Sequence, residues 1–151
     1  MANAIYPKYK ETILGAATNT NLLTGTVKTA LVDTGVYTYN AAHQFLTSLT
    51  GVVGTAETIG ATKSVTGGVF DGGNVTYTAV TGNSVEALVI YIDTGVAATS
   101  PLVAYLDTSA GGLANGNGVA GVKEGGSGTG GDAGVGAVSD LVWKKAWHRR
   151  S

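Results

Sequence analysis

From Gly51 onward the apolar residues of this chain fall in short runs, each closed by a cluster of Gly, Asn or Asp. Lys63–Val65, Val69–Phe70, Val75–Val80 and Glu86–Ile92 read as strands, with Thr66-Gly-Gly, Asp71-Gly-Gly-Asn74 and Thr81-Gly-Asn-Ser84 as the turns between them. Alternation in Val75–Val80 puts Val75, Tyr77 and Ala79 on one face and two threonines on the other, the pattern of a half-exposed antiparallel strand. Leu88–Ile92 is apolar without a break and predicts a central strand covered on both sides. Leu102–Leu106 is its expected neighbour, because the short link Asp93–Pro101 suits a hairpin-like connection.

The first fifty residues read differently. Tyr6–Gly15 predicts one or two helical turns, with Pro7 at the first helical position and Gly15 at the end. Thr18–Thr26 is polar and turn-like, and Val27–Val32 is a strand running into the turn tripeptide Asp33-Thr34-Gly35. Asn40–Leu49 predicts a second helix: Asn40 can cap it, and Ala41, Phe45 and Leu49 recur at a spacing of four.

Beyond Asp107 the pattern changes again. Residues 111–136 hold 12 of the chain's 24 glycines. Such a stretch loses much entropy on ordering and buries little by itself, so Gly111–Gly136 predicts a long loop, or an arm ordered against a partner. Ala137–Trp143 reads as one more strand, which brings the chain back to the body after the excursion. The organisation expected is a β-rich body over 1–108, a Gly-rich arm over 109–136, and a C-terminal strand with a basic end over 137–151.

Composition narrows the classes of function. A chain of 151 residues favours one domain with a real core. Its 44% hydrophobic and 13% charged content is unlike that of a disordered chain, and the absence of Cys removes disulfide frameworks and thiolate metal sites. The net charge of −1 conceals an asymmetry. Lys144, Lys145, Arg149 and Arg150 stand at the end, so residues 1–140 carry five lysines against ten carboxylates, a charge of −5. Met1–Lys10 lacks the apolar core of a secretory signal, and the longest apolar run, Ala87–Ile92, falls far short of the ~18–20 residues of a membrane span. A soluble protein with no membrane partner is expected.

Motifs of chemistry are weak. Leu31-Val-Asp-Thr-Gly35 and Tyr91-Ile-Asp-Thr-Gly95 resemble the active-site turn of aspartic peptidases, which need two such carboxylates close enough to share a proton. Both are followed by Val (Val36, Val96) where those enzymes favour Ala or Ser, and a bilobal enzyme needs about twice the length. Asp-Thr-Gly is also good turn chemistry at a strand end, so an aspartic-type peptidase is the remote reading. His43 and His148 lie far apart, without carboxylates at ligand spacing. Gly125–Gly131 lacks the Gly-Lys-Ser/Thr of a phosphate cradle, and no twelve-residue calcium loop surrounds Asp71, Asp93 or Asp107. No catalytic residue, metal site or cofactor is predicted, and a non-enzymatic protein is expected.

The tail Trp143-Lys-Lys-Ala-Trp-His-Arg-Arg150 interleaves aromatics with cations. It can meet nucleic acid by charge and stacking, or dock on an acidic neighbouring subunit with Trp143 and Trp147 on one helical face. An acidic body repels phosphate, which favours subunit contact over nucleic acid. Trp143, Lys144, Lys145, Trp147, Arg149 and Arg150 are therefore the candidate partner-binding residues.

Several blocks in fixed order carry a resemblance. Ala4–Glu11, Val27–Asp33, Tyr37–Leu46, Thr66–Asp71, Val75–Val80 and Glu86–Gly95 resemble a family of small tailed-bacteriophage proteins, over about residues 3–108. The resemblance implies a structural component of the virion, assembled in the host cytoplasm. It supplies no catalytic site. Members tend to finish with a Gly/Pro turn and a Trp-Asp-Asn-Gly strand, and this chain departs from them beyond Thr108.

The fold expected is mainly β, a sandwich or jelly-roll-like barrel with one or two short helices and a long Gly-rich loop or arm. The function expected is a capsid decoration or cement protein bound to the major capsid protein and to neighbouring copies of itself, a homo-oligomer on the particle. The alternative is a tail or adhesin component whose loops contact host surface glycans.

Overall fold

A computed structural model describes residues 3–60, 62–73, 75–77, 80, 82–83, 85–107, 119–120, 133–135 and 141–142. The chain is mainly β. Eight strands precede residue 108: β1 (Ala4–Ile5), β2 (Thr26–Val32), β3 (Val52–Thr58), β4 (Ser64–Thr66), β5 (Val69–Asp71), β6 (Val75–Tyr77), β7 (Ala87–Asp93) and β8 (Leu102–Asp107). Among the described residues of the body there are also one α-helix, α1 (Pro7–Leu14), and two single 3-10 turns, Leu46–Ser48 and Ala97–Thr99. Beyond it lie β9 (Val119–Ala120), β10 (Ala133–Val135) and β11 (Leu141–Val142).

Five strands form one antiparallel sheet in the order β1-β8-β7-β2-β3. As its unbroken apolar run requires, β7 is central, and Ala87–Ile92 are all buried. It pairs with β2 over seven residues, from Thr26 opposite Asp93 to Val32 opposite Ala87. The β4–β5 hairpin turns at Gly67 and Gly68, whose φ values of 60° and 79° are the positive pair that a two-residue type I′ turn requires. Gly54, at φ 71°, sits where the β2–β3 register shifts. The sheet does not close into a barrel among the described residues: β1 and β3 are its two ends.

Register sorts the core. Val27, Thr29 and Leu31 share one face with Leu88, Ile90 and Ile92; Ala30 and Val32 share the other with Ala87 and Val89. On the first face the Tyr77 hydroxyl donates to the Thr29 hydroxyl, so β6 lies across it. On the second, Tyr105 of β8, opposite Val89, meets the rings of Tyr37 and Tyr39 at 6.2 and 5.3 Å.

The helix forms where Pro7 allows it to start and ends in a complete C-terminal motif. Ala17 N–H donates to Thr12 O, and Ala16 N–H to Ile13 O. The left-handed residue of that motif is Ala16 (φ 51°), not Gly15, one position earlier than the chain uses it.

The helix expected over 40–49 does not form. Only Leu46–Ser48 turns, as one 3-10 turn. Asn40 does make a local bond, but as a turn: its Oδ1 accepts from Ala42 N–H. Gln44–Leu46 instead pair with the start of β8: Leu102 N–H donates to Gln44 O, and Leu46 N–H to Ser100 O, at 2.9 Å each. Edge pairing of the backbone outweighs the helical spacing of Ala41, Phe45 and Leu49. β1 and β3 form where the apolar pattern marks no strand.

Candidate interaction surface

The two Asp-Thr-Gly turns resolve into structural elements. Gly35 N–H donates to Asp33 Oδ1 at 2.7 Å, and Gly95 N–H to Asp93 Oδ1 at 2.8 Å, so each carboxylate closes its own Asx turn. The remaining oxygen of Asp33 accepts from Asn83 Nδ2 at 2.7 Å; that of Asp93 meets Lys28 Nζ at 2.7 Å. Asp93 stands opposite Thr26 at the start of β2, whereas Asp33 follows its end. Seven residues of strand separate them, about 23 Å at 3.3 Å per residue. A shared proton needs carboxylates in hydrogen-bond contact, and these two carboxylates lie at opposite ends of the sheet.

His43 belongs to a chain of hydrogen bonds. Its Nδ1 is 2.9 Å from the Tyr37 hydroxyl, which is 2.8 Å from the Tyr6 hydroxyl. Tyr6 is 0% and Tyr37 2% exposed, and burial raises the pKa of both phenols above the ordinary tyrosine value. The chain ties the segment carrying β1 to the 37–46 crossover. Both segments cover the outer edge of β8, where Tyr6 N–H continues the ladder to Val103 O. The outer edge of β8 is thereby covered by the chain itself, leaving the two-residue β1 as the end strand on that side.

The other end of the sheet is more open. β3 is exposed along much of its length, and Val52 at its start is 43% exposed. Val36, 55% exposed, lies beside it: a Cβ on Gly51 would stand 2.9 Å from the Val36 Cβ. Val36 and Val52 are thus two exposed apolar residues near one edge strand, and Val65, 50% exposed on β4, stands on another. The turn that carries Val36 is braced, because Glu86 accepts from both the N–H and the hydroxyl of Thr34.

Trp143, Lys144, Lys145, Trp147, Arg149 and Arg150 lie outside the described residues, as does His148. Within Gly111–Gly136, β10 pairs with β6 and β9, and within 137–143, β11 pairs with β5. Among the described residues no group of three or more His, Asp or Glu is placed to hold a metal ion, and no helix is long and apolar enough to cross a membrane. The tyrosine chain escaped sequence reasoning because Tyr6 and the Tyr37–His43 segment lie some thirty residues apart. The signal was compositional: five of the seven tyrosines fall at 6, 9, 37, 39 and 105. No family model, curated protein or solved structure matches the chain.

Proposed function

We propose that this chain is a non-enzymatic structural protein of a tailed-bacteriophage virion, a decoration or cement protein seated on the major capsid lattice and beside copies of itself. The observation that carries the reading is that the antiparallel body runs from Ala4 to Asp107, the stretch over which the phage resemblance extends. Consistent with a structural role, both Asp-Thr-Gly turns spend their carboxylates on turns, an ion pair and an amide contact. Exposed Val36 and Val52 offer apolar surface, and the basic end from Lys144 to Arg150 supplies charge complementary to an acidic neighbour. On a repeating lattice, many weak contacts suffice. A two-layer sandwich belongs to the same proposal, because β6 lies over one face of the five-stranded sheet.

Copy number tests the reading. Quantitative mass spectrometry of purified particles should find hundreds of copies, in a fixed ratio to the major capsid protein. A handful per particle would instead place the chain in the tail, the adhesin alternative. Replacing Lys144, Lys145, Arg149 and Arg150 by Ala should lower retention on the particle; unchanged retention would remove the basic end from the interface.

A further inference from the structure

A polar cleft of about 410 Å³ opens between the 17–25 loop and the end of β7. Asn19, Asn21, Thr24, Thr26 and Asp93 line it, and Ile92 contributes apolar surface. We propose that this cleft binds one neutral sugar unit, with its amide, hydroxyl and carboxylate groups meeting ring hydroxyls and Ile92 meeting a C–H face.

The ligand class follows from charge. No Lys or Arg lines the cleft, and the two ammonium groups that meet lining residues are engaged there, Lys28 by Asp93 and Lys63 by Gly25 O, so the lining itself selects no anion. A cation is disfavoured too, because the Asp93 carboxylate already meets Lys28 Nζ at 2.7 Å and no other acid lines the wall. What is left is a set of neutral donors and acceptors around one ion-paired carboxylate, chemistry matched to a polyhydroxylated neutral molecule. The volume lies in the range of small-molecule sites.

The walls are held before any ligand arrives. Asn21 Oδ1 accepts from Leu23 N–H and Thr24 N–H, Thr20 donates its hydroxyl to Ala17 O, and Tyr9 donates its hydroxyl to Thr20 O. Gly25 lets the loop close on the strand: a Cβ there would lie 2.6 Å from Asn21 O and 2.9 Å from Ile92 Cγ2. Asn19 is left-handed (φ 60°), a backbone conformation that asparagine adopts more readily than most residues. Pre-positioned groups reduce the ordering cost of binding. This inference does not depend on where the protein sits in a particle, and copy number does not bear on it.

The test is an NMR titration of the full 15N-labelled chain with methyl glucoside, methyl galactoside and N-acetylglucosamine, with sulfate and Ca²⁺ as charged probes. At least one sugar should give saturable shifts confined to 17–26 and 92–94. Asn19→Gly keeps the left-handed backbone and removes the amide; Thr26→Val keeps the shape and removes the hydroxyl. Each should weaken that sugar about tenfold while leaving the remaining spectrum unchanged. The proposal is overturned if no sugar shifts the cleft, if both variants bind as the parent does, or if only sulfate or Ca²⁺ saturates it.

Discussion

The Tyr6–Tyr37–His43 chain makes a prediction whose sign, and not only its size, follows from the geometry. Tyr37 stands in the middle, bonded to Tyr6 on one side and His43 on the other. Tyr6→Phe breaks one bond and leaves the Tyr37 hydroxyl its contact with His43, a loss of about 1 kcal/mol. Tyr37→Phe breaks both, and leaves the Tyr6 hydroxyl, on a residue 0% exposed, without that partner. A stranded buried hydroxyl adds its desolvation cost, so this variant should lose about 2–3 kcal/mol. Adding Tyr6→Phe to Tyr37→Phe removes the stranded group. The double variant should therefore be as stable as Tyr37→Phe or more stable, although it lacks one more hydroxyl. Urea unfolding of the four proteins measures this, with unchanged m values as the check that only stability moves. If the second substitution costs a further ~1 kcal/mol in the Tyr37→Phe background, as additivity demands, the buried chain does not exist as described.

Ala16→Gly places glycine at the left-handed position of the helix end and should stabilise by about 1 kcal/mol, read as a higher thermal midpoint. Gly25→Ala forces a methyl against Asn21 O and Ile92 and should destabilise by about 1–3 kcal/mol in the same assay. Burial raises the folded-state pKa of Tyr6, Tyr9, Tyr37 and Tyr77 above the unfolded value, so their contribution is present below about pH 10 and lost above it. Stability should fall there by about 1.4 kcal/mol per pH unit for each phenol still protonated only in the fold. Hydrogen bonding from Lys28, then from Gly95 N–H, holds the Asp93 carboxyl below its ordinary value; that contribution is present above about pH 4 and lost as pH falls further. Asp93→Asn should lower stability at neutral pH and flatten the acid limb of the stability curve.

What could be read from the sequence follows from how local each signal is. The β7–β8 hairpin and the Gly67-Gly68 turn rest on contiguous runs and turn chemistry, and both elements lie where the pattern puts them. So does α1, because proline and a terminal glycine are local signals. β3 was missed because Gly54 and its threonines break the apolar alternation, and the strand is held by pairing with β2 rather than by a buried face. Asn40–Leu49 misleads because its spacing is helical, while its backbone at Gln44 and Leu46 pairs with Leu102 and Ser100, far along the chain. The same distance explains the site. The tyrosine chain and the polar cleft are each assembled from stretches that meet only in the folded chain, so neither has a contiguous motif.

The most direct test of the proposed role is a cryo-EM reconstruction of the phage particle on which this protein is proposed to sit. A decoration protein gives density for the five-stranded body repeated over the capsid surface, with the β3 side or the basic end against the major capsid protein. Density confined to the tail, or no copy in the particle, would contradict it.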